Sequence, residues 1–211
     1  GDFSKNNEVE IHLTPEEVKT SRKRMNTVLG HGNQALMVSA LGSSKNKSYP
    51  FKYMAKLIDS AFQTTKLPLI LNYRPDQDLQ IDILIDHLQP ATQKAVFKSL
   101  TPKSLRDYIA TAFHCIAVVG NEGGAINIAK VLKKPTFAIF SPLIDPTGWH
   151  TEIPNQSMAV HLKTFFPNTV DYSDHRKIGK DPEKVLSLYK MLKPELFEKK
   201  WIKFLENIIS K

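Results

Sequence analysis

Two short stretches of this chain carry residue types that can do chemistry together. The first is Gly42-Ser43-Ser44-Lys45-Asn46-Lys47. Gly42 permits close approach to the backbone. The hydroxyls of Ser43 and Ser44 can donate to phosphate oxygens, and Lys47 adds a point charge. The stretch is not a P-loop, because no G-x-x-x-x-G-K-[ST] is present, and a Gly-Ser-Ser loop is also an ordinary turn. The second is Asn121-Glu122-Gly123-Gly124. Two adjacent glycines at a helix start let a ligand reach free N–H groups that favour an anion. The spacing is not the G-x-G-x-x-G dinucleotide fingerprint. Glu122 has two readings. As a cap, its carboxylate is stabilised by the helix dipole. Facing a diphosphate it is repelled, whereas beside one it can accept hydrogen bonds from sugar hydroxyls. A phosphate-friendly turn next to an acidic hydroxyl acceptor points to a nucleotide-sugar.

Other candidates carry less. His12, His31, His87, His114, His150, His161 and His175 show no metal-ligand spacing, so no metal is expected. Cys115 is the only cysteine. It excludes an internal disulfide, fits a reducing compartment, and reads as an inert core thiol. No nucleophile elbow or serine-histidine-acid order is readable. Trp149 and His150 either line a pocket or cover a sheet edge.

The elements that must hold these stretches follow from periodicity. Ile116 to Val119 is a short apolar run, Gly120 to Gly124 a turn, and Ala125 to Leu132 a helix with Ala125, Ile128, Ala129 and Leu132 on one face. Thr136 to Phe140 is the next strand, so the second stretch is the turn of a βαβ unit. Ala35 to Leu41 is a buried strand before the first stretch. Pro50 then starts a helix with Phe51, Met54, Ala55, Ile58 and Phe62 at helical spacing. Pro68 to Asn72 reads as a strand, Asp76 to Leu88 as a helix, and Ala95 to Lys98 as a short strand. Thr101 to Ser104 opens a helix with Leu105, Tyr108, Ile109 and Ala112 inward. Upstream, Glu8 to Leu13 alternates as a half-buried strand. Thr14-Pro15-Glu16-Glu17 then starts a mostly polar helix that stops at Gly30. Downstream, Ser141 to Asn155 is a loop, and Ser157 to Leu162 an edge strand. Asp181-Pro182-Glu183 caps a helix to about Leu192. Pro194 opens the last helix, with Trp201, Phe204, Leu205, Ile208 and Ile209 on one stripe.

The β-α alternation over residues 35–140 predicts an α/β fold, a Rossmann-like parallel sheet with helices on both faces. Residues 1–30 read as a leading strand and linker helix. Residues 31–211 read as one nucleotide-sugar donor-binding domain with C-terminal helices. In such a sheet, ligands bind at the carboxyl ends of the strands. At 211 residues, 41% hydrophobic and 24% charged, the chain can bury a core. No stretch approaches the roughly 20 apolar residues of a membrane span, and no signal peptide is readable. A net charge of +8 is either a lysine-rich solvated surface or a preference for anions, including an anionic membrane face. The basic residues are scattered, which argues against nucleic acid as a partner.

The two stretches together resemble the heptosyltransferase family (glycosyltransferase family 9). Its segment N-D-S-G-P-x-H-L-A-x-A-L-x-x-P-T-x-x-x-F-G-P is similar to the run from Asn121 to Thr136 followed by Phe140-Ser141-Pro142. Its K-x-W-P is similar to Lys47-Ser48-Tyr49-Pro50. The resemblance implies the C-terminal half of a GT-B architecture, binding ADP-heptose as donor substrate without a metal or other cofactor. Ser43, Ser44, Lys47, Gly123 and Gly124 would hold the diphosphate and Glu122 the sugar, with Asn121, Asn127 and Trp149 as possible pocket residues. The acceptor would be a glycolipid or glycan of the lipopolysaccharide core. The catalytic base is expected in an N-terminal acceptor domain that this chain lacks, so the chain is expected to be inactive alone. The location implied is cytoplasmic, peripheral at the inner face of the membrane. Asn127 stands where the family has histidine, Glu122 where it has aspartate, and Asn72-Tyr73-Arg74-Pro75 where it has Gly-Gly. The alternative class is a non-catalytic nucleotide or nucleotide-sugar binding module.

Overall fold

The computed structural model describes residues 10–145, 152–170 and 179–210. Five strands form one parallel sheet: β1 Leu36–Ser39, β2 Leu69–Asn72, β3 Ala117–Asn121, β4 Thr136–Ile139 and β5 Ser157–Val160. Their order across the sheet is β2-β1-β3-β4-β5. The helices in chain order are α1 Pro15–Leu29, α2 Phe51–Thr65, α3 Asp78–Asp86, α4 Pro90–Gln93, α5 Leu105–His114, α6 Gly124–Val131, α7 Leu162–Phe165, α8 Pro182–Met191 and α9 Glu198–Ile209.

Both sheet faces are covered, which is why the strands read as continuous apolar runs. Alternate side chains go to opposite faces. Leu36, Val38, Ala117, Val119, Phe137 and Ile139 join a core with α2, α3, α8 and α9. Met37, Val118, Ala138 and Phe140 join a second core with α1, α5 and α6. The stripe of α9 closes the first face, where the Trp201 ring meets Phe137 edge-on with centroids 4.9 Å apart. On the second face α1 lies over α5. A capping box starts α1: Glu17 N–H donates to Thr14 Oγ1 at 3.2 Å, and Thr14 N–H donates back to Glu17 Oε2 at 2.8 Å.

The structure corrects four expectations. Residues 10–14 form no strand. They lead directly into α1, and Ile11 and Leu13 pack against the second core instead of pairing with a strand; Glu8 and Val9 lie outside the described residues. Residues 95–98 give only one bridge, Val96 to Leu69, because helical turns on both sides leave a single extended residue. Leu105 is not inward but 63% exposed, being the first residue of α5 at the mouth of a cleft. On α6 the buried pair is Ile126 and Ala129, while Ala125 and Ile128 line that cleft. In addition β3 runs two residues further than the apolar run, through Gly120 and Asn121.

Candidate functional site

In the order β2-β1-β3-β4-β5, chain connections leave β1 and β3 in opposite directions, so the loops after them part and open a crevice between their carboxyl ends. Those loops are the two stretches singled out above. They face each other across a cleft of about 1180 Å³. Gly42, Ser43 and Lys47 line it from the β1 side, and Glu122, Gly123 and Gly124 from the β3 side.

Each wall has a local cause. The β1 loop folds back on itself, and a Cβ on Gly42 would sit 2.0 Å from the carbonyl oxygen of Lys47. No other residue fits there. Gly42 N–H donates to Ser48 Oγ at 3.0 Å, and Ser48 Oγ donates to Ser44 O at 2.9 Å. Gly123 is the N-cap of α6 with φ +152°, a conformation that side-chain-bearing residues rarely adopt, and no side chain caps the helix there. The first N–H groups of α6 therefore have no side-chain acceptor and remain for an anion. Glu122 turns its own N–H away, to Ile139 O at 2.9 Å.

One carboxyl and two ammonium groups influence each other at this turn. Burial pushes the half-buried Glu122 carboxyl above its usual range, while the neighbouring Lys47 and Lys130 ammonium groups pull it back down. Burial lowers Lys130 in turn, and Glu122 opposes that shift.

Not every expected residue is brought here. Ser44 faces away, into a second cavity of about 700 Å³ beyond the loop, because its extended backbone points successive side chains to opposite sides. Asn121 does not line the cleft. It is 1% exposed and ties strand to loop: Tyr49 N–H donates to its Oδ1 at 2.7 Å, and its Nδ2 donates to Ala40 O at 2.8 Å. Asn127 is exposed on α6 and is not among the cleft residues. Trp149 and His150 lie outside the described residues.

Residue-type reasoning missed the wall after β2. Tyr73, Arg74 and Gln77 line the cleft, and two of them grip the β1 loop. Arg74 Nη1 donates to Ser43 O at 3.1 Å, and Gln77 Nε2 to Gly42 O at 3.0 Å. Leu143, Ile144 and Asp145 close the opposite end after β4. The missed signal was topological: every one of these residues follows the carboxyl end of a strand.

No family model and no curated protein sequence matches this chain. Solved structures do. The glycosyl transferase family 9 structure from Veillonella parvula matches over 97% of this chain, with TM-score 0.70 and 11% identity, and 55% of its own length is covered. The E. coli ADP-heptose lps heptosyltransferase II matches over 87% of this chain, with TM-score 0.56 and 14% identity, and 54% of its own length is covered. The chain thus spans about half the length of these structures, and over that half it has the Rossmann-like fold of GT-B glycosyltransferases.

Proposed function

We propose that the chain is the donor-binding half of an inverting, metal-independent glycosyltransferase, heptosyltransferase-like, with ADP-heptose as donor and a glycolipid or glycan of the lipopolysaccharide core as acceptor. The observation that carries this reading is the pairing of the Ser43–Lys47 loop with the Glu122–Gly124 turn across one cleft at the switch point. The fold shared with the family 9 structure supports it.

The diphosphate lies between Lys47 and the N-terminus of α6. As the glycosidic bond breaks, charge grows on the leaving diphosphate, and the ammonium of Lys47 and the fixed N–H dipoles of α6 stabilise it without reorganising. Glu122 accepts hydrogen bonds from donor-sugar hydroxyls beside the phosphates. The acceptor and the acidic base that deprotonates it belong to a second, N-terminal domain. The assembly works at the inner face of the cytoplasmic membrane, where the net charge of +8 favours anionic lipid.

Isothermal titration tests the donor site. ADP should bind more tightly than adenosine, and Lys47→Ala should weaken ADP by about 1–2 kcal/mol, the loss of one charge-assisted contact. Equal affinity for ADP and adenosine would remove the phosphate site.

A further inference from the structure

The cleft has two chemically different ends on either side of the proposed diphosphate position. At the β4 end stand the carboxylates Glu122 and Asp145, both hydrogen-bond acceptors. Asp145 is itself within 3.8 Å of Lys163. That end suits a ring covered in hydroxyl donors. At the β2 end stand Tyr73, Arg74, Pro102 and Leu105, which offer flat or apolar surface.

Arg74 has an unusual disposition for a cleft arginine. Its Nε donates to Asp76 Oδ1 at 2.9 Å and its Nη2 to Asp76 Oδ2 at 2.8 Å. Its Nη1 donates to the Ser43 carbonyl at 3.1 Å. Guanidinium N–H bonds lie in the plane of the group. Each of the three nitrogens is therefore held edge-on, and the charge is already paired with Asp76. What remains is one in-plane N–H on each Nη nitrogen and the face of the plane. The side chain is 54% exposed, and no aromatic ring among the described residues is stacked on it. A guanidinium whose charge is already paired with a carboxylate, whose plane is held at three nitrogens and whose face is open is a preformed stacking platform.

We propose that Arg74 is the platform on which the donor's nucleobase stacks, and that it makes the cleft selective for purine over pyrimidine nucleoside diphosphates. This rests on the donor-site reading above. The larger and more polarisable purine ring system stacks more strongly on a guanidinium than a pyrimidine does, and the bonds that hold the plane also hold the Ser43 carbonyl. Base recognition and the phosphate loop are thereby joined through one side chain.

The experiment is titration of ADP, UDP and inorganic pyrophosphate into the wild-type chain and the Arg74→Lys variant, which keeps the charge and removes the plane. In the wild type, ADP should bind more tightly than UDP. In Arg74→Lys, ADP should weaken by about tenfold, a stacking-sized loss. The ADP-over-UDP preference should then shrink, with pyrophosphate, which feels only the change at the Ser43 carbonyl, weakening less than ADP. An unchanged ADP affinity overturns the proposal. So does a loss of pyrophosphate affinity equal to that of ADP, because Arg74 would then act through charge or loop position alone. Failure of both ADP and pyrophosphate to bind the wild type is a different result: it sinks the donor-site reading, and this proposal with it.

Discussion

A carboxyl in a cleft proposed to hold a diphosphate needs a reason, and Glu122 supplies one through its protonation. Burial raises its pKa, with Lys47 and Lys130 opposing. In the ligand-free chain the folded state thus holds this proton more tightly than the unfolded state. The stability Glu122 contributes is present at low pH and is lost as pH rises through its raised pKa. Donor binding runs the other way, because a sugar hydroxyl donates best to an ionised carboxylate. The affinity for an ADP-sugar, whose diphosphate stays ionised throughout, should therefore rise as pH rises through the carboxylate range. Glu122→Gln should flatten that dependence while the chain stays folded. A variant with the wild-type pH slope would remove Glu122 from the donor site. Glu122 was legible in the sequence because two glycines and an apolar run frame it. Arg74 was not, because nothing in Asn72-Tyr73-Arg74-Pro75 shows that the loop after β2 reaches across to the loop after β1.

At the scale of elements, the β1 loop is held by the ends of three other strands. Arg74 and Gln77 after β2 take the carbonyls of Ser43 and Gly42, and Asn121 at the end of β3 takes Tyr49 N–H. Ser141 after β4 donates its hydroxyl to Asn46 O at 3.2 Å. A loop fixed at so many points positions the Lys47 backbone before ligand arrives and lowers the ordering cost of binding. Asn121 is the most buried of these fasteners, so Asn121→Ala should strand Tyr49 N–H and lower stability by about 2–3 kcal/mol. It should also weaken ADP by loosening Lys47. Urea unfolding and ADP titration check both effects, and unchanged values in both would mean that the loop holds itself. The elements were legible wherever the signal was local. The Thr14–Glu17 capping box gave the start of α1, and Asp181 gave that of α8. Glu17 is held further by Arg106 of α5, which with the Thr14 backbone brings its carboxyl down to about 2. Where pairing depended on distant partners, as at residues 10–13 and 95–98, alternation and short apolar runs misled.

For the whole molecule, the β-α alternation implied a parallel sheet but not its order. Placing β3 beside β1 requires α5 to cross to the face opposite α2, and that choice makes the crevice. The same choice means that walls from the loops after β1, β2, β3 and β4 converge on one cleft, so a ligand there joins segments that otherwise meet only through the sheet. Its binding should stabilise the fold as a unit. With ADP in about hundredfold excess over its dissociation constant, mass action adds about 2.7 kcal/mol, which for a chain of this size is about 5–10 °C in melting temperature. Adenosine at the same concentration should do much less. Because the chain carries +8, and Lys47 and Lys130 flank the cleft, the ADP shift should shrink as salt screens them. Differential scanning calorimetry over a salt series measures this. A cooperatively melting chain whose midpoint does not move at any ADP concentration would detach the cleft from nucleotide binding. A shift insensitive to salt would place the ligand's contacts on its base instead of its phosphates.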